Sequence, residues 1–236
     1  MLIFVERDVA NAAAQYIIGR IRAQPALVLG VATGATMAPI YRHLVDAHLA
    51  GLSFTELRCF SLDEYIGLPA THASSYRAEM RVQFYDPVGL PPARCFAPDG
   101  MAADPDAEAR RYEAAIAATG IDLQLAGIGV NGHIGFNEPP ADFAGGTHVV
   151  SLAPATLAAN RRFFPDPIFQ PQRAITMGVR TILAAHEIML VATGAAKAPA
   201  ITAALRGPVT PDCPASALQT HAAVRAILDA DAAAGL

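Results

Sequence analysis

The chain alternates short apolar runs with longer segments in which apolar residues recur at helical spacing. The short runs predict strands at 1–5, 26–31, 54–62, 94–97, 123–128, 148–152, 173–177 and 187–193. The helical patterns lie at 9–23, 39–49, 72–84, 106–119, 154–164, 178–184 and 199–205, and we expect a strand or turn at 215–220 and a helix at 224–231. This alternation predicts an α/β fold with a doubly wound, mostly parallel sheet and helices on both faces.

The length and composition of the chain are consistent with this architecture. A chain of 236 residues can bury one sizeable core, so we expect a single Rossmann-like domain over 1–236. Hydrophobic residues make up 53% of the chain and charged residues 16%, which is typical of a compact globular protein. Disordered and coiled-coil proteins are thereby excluded.

Charge and cysteine content narrow the range of partners. The net charge is −4 and the chain has no cluster of basic residues, so nucleic-acid and membrane-surface partners are not expected. The three cysteines are scattered without CxxC spacing, which argues against a disulfide framework or a zinc site. We find no signal-peptide pattern and no apolar stretch of membrane-spanning length, and we therefore expect a cytoplasmic protein.

The predicted strand at 123–128 ends in a loop rich in glycine, amide and ionisable side chains. Asn131, His133 and Glu138 follow within this loop. Glycines allow a backbone to approach a ligand closely, and loops at the carboxyl ends of parallel strands are where α/β proteins bind small molecules. The loop is therefore either a proton-handling site or a solvated surface turn.

A second loop has the features of a phosphate-binding turn. Thr33, Gly34, Ala35 and Thr36 lie between a buried strand and a predicted helix start, where free N–H groups and the helix dipole favour an anion. The GxxxxGK[ST] pattern and its lysine are absent. An ordinary strand-to-helix turn remains the alternative.

Two further polar sets follow predicted strands. Asp63 and Glu64 are adjacent acids, and they form either a solvated corner or a pair of which one serves as a general base. Lys197 lies at the start of a predicted helix, after a turn of small residues. It is either a solvated surface residue or a cation that binds an anion. In a doubly wound sheet the loops after the strands share one edge, so all four sets are expected to meet in one crevice.

Taken together, these stretches resemble the glucosamine-6-phosphate deaminase family, also called glucosamine-6-phosphate isomerase. The matching motifs are G-x-x-T-G-x-T at 30–36, L-D-E-Y-I-G-L-P at 62–69, H-x-x-S-Y at 72–76, G-x-N-G-H-I-G-F-N-E-P at 129–139, A-N-R-R-F-F at 159–164 and T-G-A-A-K at 193–197. Their order and spacing agree over roughly residues 27–221.

The resemblance implies conversion of glucosamine 6-phosphate and water to fructose 6-phosphate and ammonia, without a metal or an organic cofactor. By this likeness Asp63 is the general base that moves a proton between C2 and C1. His133 opens the sugar ring, Glu138 orients and charges the imidazole, and Asn131 supports them by hydrogen bonding.

The same resemblance assigns phosphate binding to the loop at 33–36 together with Arg162 and Lys197. Backbone donors and hydroxyl groups would hold the phosphate oxygens while the two cations neutralise the dianion. Without the resemblance, Arg162 would be read as a surface cation on a helix.

Some positions of this chain differ from the family pattern, and these differences bear on how the enzyme is regulated. Some members of the family have Asp where this chain has Asn131. Unlike the Asp carboxylate, the Asn amide cannot take a proton. The hexameric members activated by N-acetylglucosamine 6-phosphate have a basic pair where this chain has His148 and Val150, and a serine where it has Ala141. We therefore expect an enzyme without this activation, as a monomer or small homo-oligomer.

There are three alternative functions. A deaminase for galactosamine 6-phosphate or another amino sugar phosphate is excluded by no residue. A 6-phosphogluconolactonase would resemble D-E-R at 63–65 and D-G-H-T at 131–134, which this chain lacks. A non-catalytic sugar-phosphate sensor would carry a helix-turn-helix domain, for which the roughly 25 residues before the first central strand leave little room.

Overall fold

The structure, a computed structural model, describes residues 1–164 and 170–236, apart from the side chains of residues 155, 159 and 162. The strands in these residues are β1 (Leu2–Val5), β2 (Val28–Val31), β3 (Arg58–Ser61), β4 (Asp63–Tyr65), β5 (Cys95–Phe96), β6 (Leu123–Ala126), β7 (His148–Ser151), β8 (Arg173–Thr176), β9 (Glu187–Ala192) and β10 (Val224–Leu228). The α-helices are α1 (Val9–Ala23), α2 (Ala38–Leu49), α3 (Tyr76–Met80), α4 (Pro105–Thr119), α5 (Pro154–Asn160), α6 (Val179–Leu183) and α7 (Ala198–Arg206).

Seven of these strands form a parallel sheet in the order β1-β10-β9-β6-β2-β3-β5. Every residue of β2 and β6 is buried, as expected for a parallel sheet covered on both faces. The chain runs outward from β2 through β3 and β5 and then returns to β6 on the other side of β2. Such a reversal leaves a crevice between the loops that follow the two strands. The predicted α/β, doubly wound architecture is confirmed.

A small second sheet was not predicted. It is antiparallel, in the order β4-β8-β7. The predicted strands at 148–152 and 173–177 exist, but they belong to this sheet. The chain leaves the large sheet at Leu62 and enters the small one at once, where Asp63 lies opposite Thr176. The acidic segment expected to follow a strand is therefore itself a strand, and this fixes the position of Asp63.

The prediction of a helix at 224–231 is wrong. Residues Val224–Leu228 form β10, which pairs in parallel with β1 on one side and β9 on the other. A five-residue apolar segment has too little periodicity to distinguish helix from strand, so pairing with strands distant in sequence decides its conformation. The segment at 215–220 lies within a 3-10 helix, Pro214–Thr220, which agrees with the turn alternative.

The helix predicted at 72–84 is shorter and less regular than expected. Ser75 caps it by accepting a hydrogen bond from the Ala78 N–H, so α3 begins only at Tyr76. After five residues the helix continues as a π-helical turn at Arg81–Tyr85. The face of this helix that contains Glu79 and the face that contains Arg77 and Arg81 are directed to different parts of the protein, as described below.

Candidate active site

Asp63 is a buried acid whose carboxylate has no hydrogen-bond partner among the described residues. Its exposed fraction is 8%. Burial, reinforced by the nearby carboxylates of Glu64 and Glu79, raises the pKa of Asp63 to about 8. A carboxyl group with such a pKa exchanges protons near neutral pH, which is the property required of a general base or acid.

The neighbouring acid, Glu64, has a structural role instead. Its carboxylate accepts hydrogen bonds from the backbone N–H groups of Tyr65, Tyr76 and Arg77 at 2.8, 3.1 and 2.9 Å. Two of these donors lie in the first turn of α3, where a negative charge also interacts favourably with the helix dipole. Of the two adjacent acids, Asp63 is therefore the one left free for chemistry.

His133 and Glu138 are in contact within the loop that follows β6. Nδ1 of His133 lies 3.2 Å from Oε1 of Glu138. Glu138 also accepts hydrogen bonds from Asn131 Nδ2, at 2.6 Å, and from the Thr156 hydroxyl. Burial alone would raise the pKa of Glu138, but the His133 ring and these two donors outweigh it and lower the pKa to about 2. Glu138 is thus a fixed anion beside the imidazole.

Two glycines leave the space that this loop needs. A Cβ atom at Gly129 would lie 2.3 Å from Cε1 of His133, so the imidazole packs directly against the Gly129 backbone. Gly132 has a φ of +85°, and a Cβ there would lie 2.7 Å from the Cys213 Sγ. The glycines predicted to allow close approach therefore position the histidine itself.

Thr176 joins the strand of Asp63 to the loop of His133. Thr176 pairs with Asp63 across the small sheet, and its hydroxyl accepts a hydrogen bond from the Phe136 N–H at 3.2 Å. Gly135 permits this contact, because a Cβ there would lie 2.9 Å from Thr176 Oγ1. The acid and the histidine, which are separate in sequence, are thus connected through one buried threonine.

Lys197 lies at the same edge of the sheet. Its Nζ donates a hydrogen bond to the Ile128 carbonyl at 2.6 Å, just beyond the end of β6. The turn before it depends on Gly194, whose φ is +89°. Burial lowers the pKa of Lys197. Lys197 is also the only lysine in the chain, since every other cationic side chain apart from histidine is an arginine.

The loop at Thr33, Gly34, Ala35 and Thr36 follows β2, the strand next to β6 in the large sheet. It turns at Gly34, whose φ is +112° and whose carbonyl accepts the Met37 N–H. Gly34 and Ala35 are exposed, and the Gly34 amide lies close to the Glu79 carboxylate. The structure therefore places this loop after β2 and Lys197 after β9, the two strands that flank β6 in the large sheet.

Arg162 cannot be placed in the same way. Its backbone lies in the 3-10 turn at Arg161–Phe163, and its side chain is outside the described part of the structure. Its role in phosphate binding stays a prediction.

Two residues in contact with the site were missed by sequence reasoning. The Thr156 hydroxyl in α5 donates a hydrogen bond to Glu138, which lies 18 residues earlier in the chain. No local sequence pattern predicts this contact. Glu79 lies near Asp63, and its carboxylate is close to the Gly34 amide. Burial raises the pKa of Glu79, while the Gly34 amide and Gln83 lower it in part. In the sequence, Glu79 looks like a solvated helix residue.

In residues 1–164 and 170–236, no three His, Cys, Asp or Glu side chains are grouped so as to hold a metal ion. None of the helices in the same part of the chain is long and apolar enough to cross a membrane.

Similar proteins agree with the motifs and the geometry. A glucosamine-6-phosphate deaminase of Rhodopirellula baltica is 49% identical over 225 residues, which cover 94% of this chain and 89% of the relative. One of a Geobacillus species is 47% identical over 227 residues, which cover 95% of this chain and 90% of the relative.

Solved structures lead to the same group. The structure of a monomeric glucosamine-6-phosphate deaminase, 40% identical in sequence, superposes with a TM-score of 0.96 and covers 100% of both chains. The 6-phosphogluconolactonase from Trypanosoma cruzi shares the fold alone, with a TM-score of 0.80 at 21% identity over 100% of this chain and 96% of that one.

The family described as glucosamine-6-phosphate isomerases/6-phosphogluconolactonase matches residues 5–227. The resemblance inferred from the motifs is thereby confirmed. The chain belongs to the glucosamine-6-phosphate isomerase/6-phosphogluconolactonase family.

Proposed function

We propose that the protein converts glucosamine 6-phosphate and water to fructose 6-phosphate and ammonia, with residues 1–236 acting as one catalytic unit. The observation that carries this proposal is the contrast between two carboxyl groups at one site. Burial raises the pKa of Asp63 to about 8, while hydrogen bonds and the His133 ring hold the pKa of Glu138 at about 2. The reaction needs one group that exchanges protons and one charge that supports an imidazole.

His133 opens the sugar ring in this mechanism. Its imidazole accepts the proton of the C1 hydroxyl and delivers a proton to the ring oxygen as the bond between C1 and the ring oxygen breaks, which yields the open-chain aldehyde. The anionic Glu138, 3.2 Å from Nδ1, fixes the orientation of the imidazole. Asn131 and Thr156 hold Glu138 in place by donating to its oxygens.

Asp63 then shifts the double bond. Its carboxylate removes the proton from C2 while a proton of the substrate ammonium passes to the C1 oxygen, which gives an enolamine. The protonated Asp63 then returns its proton to C1. The product is an imine at C2, which water hydrolyses to the ketone of fructose 6-phosphate with release of ammonia. The substrate amine is a cation near neutral pH, and such a charge beside Asp63 lowers the pKa of Asp63 and favours its basic form.

The loop at 33–36 and Lys197 bind the phosphate group, with Arg162 as a further cation. The exposure of Gly34 and Ala35 and the half-buried ammonium of Lys197 support this assignment. Lys197→Ala should raise KM for the phosphorylated substrate by about 10-fold or more, the cost of losing one charge-assisted hydrogen bond, with a smaller change in kcat. Steady-state kinetics of Lys197→Arg, which keeps the charge, provide the matched control. An unchanged KM in Lys197→Ala would place the phosphate elsewhere.

The decisive assay is ammonia release from glucosamine 6-phosphate and galactosamine 6-phosphate in parallel, with fructose 6-phosphate measured by a coupled enzyme. Release from the gluco epimer with stoichiometric fructose 6-phosphate is the expected result. Release from the galacto epimer alone would change the substrate but keep the mechanism. Release from neither would overturn the proposal.

We also propose that the protein acts as a monomer in the cytoplasm and is not activated by N-acetylglucosamine 6-phosphate. The positions that differ from the activated members support this: Ala141 is buried, and His148 Nδ1 is within 2.9 Å of the Gly146 carbonyl. The rate at limiting glucosamine 6-phosphate should not change when N-acetylglucosamine 6-phosphate is added. A several-fold rise would contradict the proposal.

A further inference from the structure

A separate cavity lies on the other side of α3, beside the edge strand β5. Its volume is about 180 Å³, and its walls include Ser61, Arg77, Arg81, Tyr85, Cys95 and Phe96. None of the residues assigned above to catalysis or substrate binding is among those that line it. With about 30 Å³ per water molecule, the cavity has room for roughly six waters or for a compound of three or four carbons.

The cavity carries a net positive charge. Arg77 and Arg81 are four residues apart on α3 and its π-helical continuation, so they project from the same face. Arg81 is paired with Asp86 at 3.1 Å. Arg77 makes no ion pair within 4 Å in the described residues. The carboxylate of nearby Glu64 instead accepts hydrogen bonds from backbone N–H groups. One guanidinium is therefore available to a ligand.

Two buried hydroxyl groups also lie in the cavity wall. Ser61 is 4% exposed and Tyr85 is 3% exposed. Their oxygens are near each other, but neither completes a hydrogen bond of normal geometry within the described residues. Buried hydroxyls usually have a hydrogen-bond partner, and an unpartnered one destabilises the folded state. These groups are thus suited to a polar ligand that enters the cavity.

Asp86, the partner of Arg81, also lines the cavity, and the rest of the wall is mainly apolar, with Leu90 and Phe96 facing the same space. We propose that this cavity binds a small organic anion, in which a phosphate or carboxylate group contacts Arg77, hydroxyl groups contact Ser61 and Tyr85, and a short carbon body contacts Leu90 and Phe96. The site is distinct from the catalytic crevice. Ser61 nevertheless lies two residues before Asp63, so a bound anion would lie directly behind the catalytic strand.

Cys95 offers a readout that is local to this cavity. Cys59 and Cys213 are buried at 0% and 8% exposure, whereas Cys95 is only partly buried. Burial raises the pKa of the Cys95 thiol to about 11, and Arg77 offsets part of this effect. Alkylation with iodoacetamide at alkaline pH, followed by peptide mass spectrometry, therefore reports access to this one thiol.

The probe is glycerol 3-phosphate, with glycerol as the uncharged control, applied to the full-length protein. At four times its dissociation constant, glycerol 3-phosphate should slow Cys95 alkylation about fivefold, while glycerol should have no effect. Protection should be lost in Arg77→Gln and weakened in Tyr85→Phe, which removes one hydroxyl and keeps the ring. It should persist in Arg110→Gln, an exposed arginine on α4 that matches the charge change.

Lys197→Ala separates this cavity from the catalytic crevice. Because Lys197 is assigned to the crevice, protection of Cys95 should persist in this variant. Protection that disappears in Lys197→Ala but remains in Arg77→Gln would overturn the proposal. Equal alkylation rates with and without glycerol 3-phosphate at tens of millimolar would also overturn it. Thermal melts of each variant show whether it is folded. If Arg77→Gln does not fold, the loss of protection is tested with Tyr85→Phe instead.

Discussion

Asp63 and Glu138 are carboxyl groups of one site in opposite surroundings. Asp63 is buried near two other acids with no hydrogen bond among the described residues, and its pKa is raised to about 8. Glu138 is held by Asn131, Thr156 and the His133 ring, and its pKa is lowered to about 2. The difference shows that the surroundings of a carboxyl group, not its residue type, set its pKa and its role. Asp63 moves protons, whereas Glu138 supplies a permanent charge.

The secondary structure explains how each environment arises. Asp63 lies in β4, the strand by which the chain passes from the large sheet to the small one, and all three residues of β4 are buried. Glu138 lies in a loop, where amide and hydroxyl side chains from other segments reach its oxygens. The strand provides burial without donors, while the loop provides donors.

The largest expected effect is loss of the general base. Asp63→Asn should lower kcat for ammonia release by at least about 100-fold, the low end for a positioned base, while KM changes little. The measurement is steady-state kinetics with glucosamine 6-phosphate. Asp46→Asn, at an exposed position on α2, is the control and should have wild-type activity. Turnover retained in Asp63→Asn would assign the proton transfer to another group.

A smaller loss is expected for the supporting charge. Glu138→Gln should lower kcat by about 10-fold, because His133 remains present but loses the carboxylate that orients it. Glu113→Gln is a matched control: Glu113 also accepts hydrogen bonds, from Thr147 and Thr181, but it lies outside the site. If both variants lost the same activity, the effect of Glu138 would be one of folding rather than of catalysis.

The same two groups should affect stability with opposite sign. The pKa of Asp63 rises from 3.8 to about 8 on folding, so the stability of the wild type falls as pH rises through this range. Asp63→Asn should therefore melt at least about 4 °C above the wild type at pH 9, if as little as ~2 kcal/mol is recovered. The difference should shrink toward pH 4.

For Glu138 the pKa falls from 4.5 to about 2 on folding, so its contribution is present above about pH 4.5 and is lost as pH falls toward 2. Glu138→Gln should melt below the wild type at pH 7, and the gap should narrow in acid. Calorimetry of both variants from pH 3 to 9 tests the pair. Parallel pH dependence in the two variants would contradict the assigned environments.

These contrasts also show what the sequence can reveal. Apolar runs predict β2, β6 and β9, and the polar loops after them contain Gly34, His133 and Lys197, because both signals are local. Asp63 and Glu64 look alike in sequence, and only the position of α3 shows that Glu64 is occupied by backbone N–H groups.

The features that sequence reasoning missed depend on contacts between distant segments. β10 is a strand because β1 and β9 flank it, and its five residues do not indicate this. Thr156 reaches Glu138 only after α5 has packed. The small sheet depends on the pairing of β4 with β8, which lies more than 100 residues later in the chain.

The smallest effect concerns Glu79, an acid that acts on Asp63 through space. Its charge contributes to the raised pKa of Asp63, after burial and Glu64, and its carboxylate lies close to the Gly34 amide of the proposed phosphate loop. Glu79→Gln removes the charge but keeps an oxygen that can accept the Gly34 N–H. The pKa of Asp63 should fall, so kcat/KM should begin to rise at lower pH than in the wild type.

A second consequence of Glu79→Gln follows from the same charge. An anion beside the phosphate loop opposes a phosphate dianion, so the variant should also have a lower KM for glucosamine 6-phosphate, by a few-fold. The pH profile of kcat/KM measures the first effect, and KM at fixed pH measures the second. Glu56→Gln, an exposed acid, should change neither. A shifted profile with unchanged KM would mean that Glu79 acts on the base alone, whereas an unchanged profile would leave burial and Glu64 to account for the pKa of Asp63.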